Sequence, residues 1–131
     1  MSLAVLIVGE DPSKIDFADP AIPPGMSADK VMAGLNASAE ELRASGIDAE
    51  LCLLDLGETA EAVLSEHLTI RQYDCVVIGA GLRVVPKHLT LFEAVMNVLV
   101  EKGGGARLAF NNTPDDTADA ARRQLRLLGT S

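Results

Sequence analysis

The sequence predicts an α/β fold of three layers, in which helices cover both faces of a four-stranded parallel sheet. Three observations lead to this prediction. Strand-like and helix-like segments alternate four times along the 131 residues. The first and third strand-like segments are apolar throughout, which is typical of strands buried on both faces. Three of the four helical segments begin at capping residues and stop at glycines, so their boundaries agree with the alternation.

The strand order follows from the composition of each strand. The two most apolar strands belong at the centre of the sheet, whereas Glu50 favours an edge position for the second strand. The order 2-1-3-4 meets both conditions, and it is the flavodoxin-like winding. The predicted strands cover residues 3–8, 49–54, 74–79 and 107–110.

Start signals precede the first, third and fourth predicted helices. The first is expected over 28–45 behind a serine N-cap, and the second over 58–70. The third begins at a capping box over 90–93 or, one turn earlier, at a proline, and it ends at a glycine. The fourth begins with a cap, a proline and two acids at 113–116. Small and apolar residues form its inner stripe and a glycine ends it: Ala118, Ala121, Leu125, Leu128 and Gly129.

Composition argues against several classes of protein. Eleven basic and nineteen acidic residues give a net charge of −8, so nucleic acids and anionic membrane surfaces would repel the chain. The apolar run at 3–8 is far shorter than the roughly 20 residues of a membrane span. No basic segment precedes it, so no secretory signal is predicted. Cys52 and Cys75 lie in apolar strands without a zinc spacing, and we therefore expect inert thiols in a cytoplasmic, single-domain protein.

The segment 9–26 is unusually long, since most strand-to-helix loops have roughly 2–6 residues. It holds four of the chain's six prolines and several large apolar residues, so we expect it to be ordered. It packs on its own domain, contacts a second subunit through Phe17 and Ile22, or covers a ligand as a lid. Its four acids do not have the spacing of a calcium-binding loop, and no metal site is predicted.

Segments 9–26 and 79–88 follow the two central strands, so they are expected to face each other across the crevice where open α/β sheets bind ligands. The second segment carries three basic side chains close to a predicted helix N-terminus. This cluster predicts a site for a carboxylate or phosphate; in the alternative, Arg83 and Lys87 pair with the loop acids. The predicted ligand-binding residues are Asp11, Gly79, Gly81, Arg83, Lys87, His88 and Asn111.

The sequence Gly79-Ala80-Gly81 is similar to the start of a dinucleotide-binding fingerprint, but the rest of that motif is missing. Val84 stands at the third glycine position, and no acid closes the following strand. The sequence therefore predicts no particular cofactor. The two glycines are instead expected to allow a tight turn with positive φ.

Two resemblances to known proteins add to this picture. The acid pair Glu10-Asp11 after the first strand resembles a response-regulator receiver, but residues 79–81 lack a phosphoacceptor aspartate, so no phosphotransfer is implied. The wider resemblance rests on residues 19–26, 74–83, 91–97 and 110–115. Through these segments the chain resembles a set of small, uncharacterised bacterial proteins. That resemblance implies a bacterial protein of one domain and no particular chemistry.

Three functions stay open at the level of the sequence. The first is a non-catalytic domain that binds a small anion, or responds to one, in the crevice. The second is a homo-oligomeric interaction protein, because the predicted third helix is apolar almost all round. The third is an enzyme acting on a small anionic substrate, with His88 as general acid or base and Asp11 orienting it.

Overall fold

The computed structural model of the protein describes residues 3–126. Within them lies a four-stranded sheet whose strands are all parallel, in the order β2-β1-β3-β4. The predicted three-layer, flavodoxin-like α/β fold is therefore confirmed. The strands are β1 (Ala4–Glu10), β2 (Asp48–Leu54), β3 (Cys75–Ile78) and β4 (Arg107–Phe110).

Helices cover both faces of this sheet. They are α1 (Ala28–Ala44), α2 (Ala60–Ile70), α3 (Ala80–Val84), α4 (Leu89–Lys102) and α5 (Thr117–Arg126). Helices α2 and α4 pack on one face, and α1 and α5 pack on the other. Turns of 3₁₀ helix that begin with proline precede α4 and α5, at Pro86–His88 and Pro114–Asp116.

Alternation along β1 produces two apolar cores. Ala4, Leu6 and Val8 belong to the core under α2 and α4, whereas Val5 and Ile7 belong to the core under α1 and α5. All seven residues of β1 are buried. Residues 4–8 of the strand are all apolar because helices cover both of its faces.

The caps of α1 and α5 agree with the sequence. The Ser27 hydroxyl accepts the Lys30 backbone N–H at 3.2 Å at the start of α1. Thr113 and Asp116 form a reciprocal capping box ahead of α5. Both predicted helix starts are confirmed. The predictions made for Leu128 and Gly129 lie outside the described residues.

Two predictions between β3 and α4 are wrong. The capping box at 90–93 does not start α4, which begins at Leu89 as the continuation of the turn at Pro86. That start is the alternative that the proline predicts. The tight turn with positive φ at Gly79 and Gly81 is also absent, because α3 begins directly after Gly79 and both glycines have negative φ. A five-residue helix is too short to show a periodic pattern in the sequence.

Helix α4 is apolar almost all round because it contacts both the sheet and α2. Its buried residues are Leu91, Val95, Val98 and Leu99. Leu89 and Val100 are its exposed large apolar side chains, at 62% and 78%. Most of the apolar surface that suggested a second subunit is therefore buried within the chain, and the homo-oligomer stays a prediction.

The segment between β1 and α1 packs on its own domain, as one of the three alternatives predicted. Three of its apolar side chains pack against the core under α1: Ile15, Phe17 and Met26. The Lys87 ammonium lies 3.1 Å from the Asp16 carboxylate and 3.5 Å from that of Asp19. The predicted pairing of Lys87 with the loop acids is confirmed, and it ties this segment to the turn before α4.

Candidate functional site

A cavity of about 320 Å³ opens at the carboxyl-terminal edge of the sheet, where the chain leaves β1 and β3. These strands are neighbours, but the helices that follow them pack on opposite faces, so a crevice forms between the two connections. Gly9 lines it from the first connection, and Gly79 and Gly81 line it from the second. The predicted position of the crevice, between segments 9–26 and 79–88, is confirmed.

Two glycines shape this cavity in opposite ways. A Cβ atom added to Gly9 would meet no atom within 4 Å, so the missing side chain leaves space above the end of β1. A Cβ atom on Gly34 of α1 would lie 2.8 Å from the Pro114 Cβ. Gly34 therefore lets α1 approach the start of α5 closely, and this approach closes the cavity on that side.

Apolar side chains form most of the cavity wall. Those from the β1–α1 segment and from α1 are Ile15, Phe17, Ile22, Met26, Val31 and Leu35. Several of them also belong to the core under α1 and α5, so the wall is continuous with the interior of the domain. A cavity with such a wall favours the apolar part of a ligand over a fully solvated ion.

Glu10, the last residue of β1, is the acidic residue among those that line the cavity. The residue is only 5% exposed, and its Oε1 atom lies 3.4 Å from His88 Nδ1. Its Oε2 atom is the one buried side-chain nitrogen or oxygen within residues 3–126 that has no hydrogen-bond partner. Burial raises the pKa of Glu10, while the positive charges of His88 and Lys87 lower it by less and Asp19 adds to the increase.

His88 stands behind Glu10 rather than in the cavity. The residue is 7% exposed, and its Nδ1 atom lies 3.3 Å from the Gly81 carbonyl oxygen as well as 3.4 Å from Glu10 Oε1. A carbonyl oxygen only accepts, so we assign the hydrogen to Nδ1. His88 Nδ1 thus donates to the Gly81 carbonyl and lies within ion-pair distance of Glu10 Oε1, while the second oxygen of Glu10 has no hydrogen-bond partner.

Arg83 and Asn111 form the polar side of the cavity. The Arg83 Nη2 atom donates to the Asn111 carbonyl oxygen at 2.7 Å, and the guanidinium lies 5.8 Å from the centroid of the Phe110 ring. The Asn111 side chain accepts the Ala80 N–H at 2.7 Å and donates to the Thr117 hydroxyl at 2.9 Å. Asn111 therefore connects the starts of α3 and α5. Because its side chain accepts the Ala80 N–H, this backbone donor is not available to an anion at the start of α3.

The structure brings together only some of the predicted site residues. Gly79, Gly81, Arg83 and Asn111 line the cavity, but Asp11, Lys87 and His88 do not. The cluster of three basic side chains does not form, because Lys87 pairs with loop acids and His88 faces Glu10. The alternative pairing with the loop acids is wrong for Arg83, whose partner is the Asn111 carbonyl.

The sequence predicts Asp11 as the acid that orients His88, but Glu10 is the acid that lies beside His88 in the structure. Strand β1 continues two residues beyond the predicted end at Val8, so Glu10 still belongs to the buried strand. The Asp11 carboxylate instead accepts hydrogen bonds from the Ser13 N–H at 3.0 Å and the Ser13 hydroxyl at 2.8 Å. These bonds lower the pKa of Asp11. The feature of the sequence that could have identified Glu10 is an acid close behind an apolar strand that is buried on both faces.

Other chemistry is limited within the described residues. No group of three or more His, Cys, Asp and Glu side chains in residues 3–126 is arranged to hold a metal ion. The predicted burial of Cys52 and Cys75 is confirmed, and burial raises the pKa of each thiol to about 12. None of the helices in residues 3–126 is both long and apolar enough to cross a membrane.

Comparison of the chain with protein-family models, with curated proteins and with solved structures gives no match. The resemblance to small bacterial proteins therefore stays a prediction. The function has to be argued from the geometry of this chain alone.

Proposed function

We propose that this protein is a small-ligand-binding domain whose site is the cavity between β1 and β3. The observation that carries the proposal is a cavity of about 320 Å³ at the one place in the sheet where the connections diverge. Ligand sites in folds of this kind lie at that place, and pockets for small molecules begin at roughly 300 Å³. The missing side chain of Gly9 keeps this space open.

The lining favours an amphipathic small molecule. Apolar side chains from the β1–α1 segment and α1 surround the body of the ligand, while Glu10 and Arg83 offer polar contacts. The purely anionic ligand that the sequence predicts has less support, because Arg83 is the basic side chain that lines the cavity and it already donates to Asn111. Most of the binding free energy then comes from apolar area removed from water.

Filling the cavity tests this function. Gly9→Leu places a side chain where no atom lies within 4 Å of the Cβ position, so we expect the variant to fold and the cavity to be blocked. The probes are hexan-1-amine, hexan-1-ol and hexanoate, observed through the backbone amide resonances of Gly79 and Gly81. In the unmodified protein we expect at least one probe to shift these resonances. A probe at about 100 times its Kd also stabilises the fold by about 2.7 kcal/mol, which a melting curve detects.

The matched control is Ala62→Leu, which adds similar bulk on the exposed side of α2, away from the cavity. The control should bind the probes as the unmodified protein does, whereas Gly9→Leu should not bind them. The proposed function is wrong if no probe shifts the cavity resonances, or if Gly9→Leu binds them with unchanged affinity.

A further inference from the structure

Strand β4 forms one edge of the sheet, and only β3 pairs with it in the described part of the chain. The Arg107 N–H donates to the Asp74 carbonyl, so Arg107 points its backbone groups towards β3. Because successive residues of a strand point these groups in opposite directions, Leu108 and Phe110 point theirs outwards. Arg123 of α5 donates to the Phe110 carbonyl at 3.1 Å. The other outward groups, the N–H and C=O of Leu108 and the N–H of Phe110, have no partner among the described residues.

The two faces of β4 differ in character at this edge. Leu108 and Phe110 are half-buried at the margin of the core under α2 and α4. Arg107 is exposed on the opposite face, where its guanidinium donates to the side-chain oxygen of Gln124 in α5 at 3.1 Å. Arg123, one residue earlier in α5, is exposed as well. A strand added at this edge would therefore meet apolar side chains on one face and arginines on the other.

Arg107 and Arg123 differ from three other arginines in how their charge is balanced. Arg43, Arg71 and Arg122 each form an ion pair with a carboxylate of the chain. Among the residues that the structure describes, no carboxylate forms an ion pair with Arg107 or Arg123. This holds although the chain has nineteen acidic residues against eleven basic ones. The positive charge of this edge is left for a partner outside the chain.

Two kinds of partner fit the edge of β4 poorly. A second copy that paired through its own β4 across a two-fold axis would place arginines beside arginines, and these would repel each other. A nucleic acid has no strand backbone to pair with the open groups of Leu108, and the net charge of −8 repels it. A polypeptide that carries acidic side chains meets neither difficulty.

We propose that the outer edge of β4 binds an extended segment of another protein in which acidic and apolar residues alternate. The segment adds a fifth strand to the sheet, and its backbone pairs with the open groups of Leu108 and Phe110. Successive side chains of a strand point to opposite faces of the sheet. The apolar side chains of the segment therefore lie beside Leu108 and Phe110, and its carboxylates lie beside Arg107 and Arg123.

The probe is an acetylated and amidated peptide of about seven residues in which glutamate and valine alternate, long enough to span the four residues of β4. We expect it to shift the backbone amide resonances of Leu108 and Phe110 in the unmodified protein, and to slow solvent exchange of the Leu108 amide. A peptide with lysine in place of glutamate should bind at least about tenfold more weakly, because like charges then meet. The glutamate–valine peptide methylated at its backbone nitrogens keeps its charge but cannot donate to the strand, and it should also bind at least about tenfold more weakly.

Variants of the protein test the two arginines. Arg107→Gln and Arg123→Gln should each weaken binding of the glutamate–valine peptide by about two- to fivefold, the range for an exposed ion pair. The matched control is Arg122→Gln, the same change beside Arg123 at an arginine that pairs with Glu41, and it should keep the affinity within about twofold. Gly9→Leu, which blocks the cavity, should bind the peptide as the unmodified protein does, so this test does not depend on the proposed ligand site.

Several outcomes would overturn the assignment of an acidic, extended partner. They are no shift of the Leu108 and Phe110 resonances with the glutamate–valine peptide, equal binding of the lysine peptide, or unchanged binding of the methylated peptide. Shifts of the same resonances with protein concentration alone, together with a dimer mass in light scattering, would assign the edge to a second copy instead. A single-stranded oligonucleotide that shifts them where the peptide does not would assign the edge to a nucleic acid.

Discussion

Two glutamates on neighbouring strands meet opposite surroundings. Glu50 in β2 lies near the amino-terminal edge of the sheet, and its side chain is 43% exposed, whereas the Glu10 side chain at the other edge is 3% exposed. Yet the exposed glutamate is the well-partnered one. It accepts the Tyr73 hydroxyl at 2.6 Å, lies 3.4 Å from an Arg71 nitrogen and 3.8 Å from His67 Nδ1.

The contrast separates a carboxylate held in a network of partners from one that keeps an open acceptor. The contacts around Glu50 extend further, since Arg71 also binds the Asp48 carboxylate at 2.6 Å and lies over the Tyr73 ring. This network joins β2 to the end of α2 and to the chain entering β3. The chain therefore supplies hydrogen-bond partners to the carboxylate of a strand residue where these contacts stabilise the fold. Leaving the more deeply buried Glu10 with an open acceptor has a cost in stability.

Removing the hydroxyl of Tyr73 should have the largest effect on stability. Tyr73 is 3% exposed, and burial together with Glu50 raises the pKa of its hydroxyl, which therefore stays a donor. Tyr73→Phe should lower the free energy of unfolding by about 1.5–3 kcal/mol, the range for a hydrogen bond to a charged group, in urea denaturation. The same change made in a Glu50→Gln background should cost less. If Tyr73→Phe is as stable as the unmodified protein, the Glu50 network is not a stabilising one.

Glu10→Gln should raise the free energy of unfolding, by less than Tyr73→Phe lowers it. Because burial raises the pKa of Glu10 above its ordinary value of 4.5, ionisation of this group destabilises the fold as the pH rises through the raised pKa. The glutamine variant should be more stable by about 1–2 kcal/mol at neutral pH, since a buried carboxylate with one unpartnered oxygen is removed. The gain should vanish below pH 4.5, where Glu10 is protonated in both the folded and unfolded states.

Melting curves of both proteins across this pH range test the sign. A variant that is less stable than the unmodified protein at neutral pH, or a difference that does not change with pH, would contradict an unpaired Glu10 carboxylate. It would also place Glu10 in the same structural class as Glu50.

Lys87→Ala should have the smallest effect. The Lys87 side chain is 51% exposed, and its ion pairs with Asp16 and Asp19 are open to water, where such pairs contribute little. Hydrogen bonding to Asp16 raises the pKa of Lys87, so the ammonium keeps its charge and stays on the loop acids rather than on Glu10. We expect a melting temperature within experimental error of the unmodified protein. A fall of several degrees would show that Lys87 supports the buried site and not only the surface of the loop.

Sequence patterns predicted the scaffold of the site well and its chemistry poorly. The strand order and the crevice followed from apolar runs and from the edge position of Glu50, which are local properties. The predictions for the polar residues were wrong because the roles of these residues depend on where β1 ends. Because β1 continues to residue 10, Glu10 is buried beside His88, and the Asp11 carboxylate accepts a hydrogen bond from the Ser13 hydroxyl. The short α3 likewise gives no periodic signal, although it sets the position of Arg83.

By itself the sequence determined the alternation of strands and helices, the caps at Ser27 and Thr113, and the parallel order of the sheet. Strand burial and helix capping can be predicted from residues that are neighbours in the sequence, so these predictions need no knowledge of distant contacts. Only the tertiary structure decided the partners of the charged groups. Lys87 meets Asp16 across the fold, Arg83 meets the Asn111 carbonyl, and Glu10 is left with an open acceptor. Such pairings depend on ångström-scale distances between residues far apart in the chain, which no local pattern encodes.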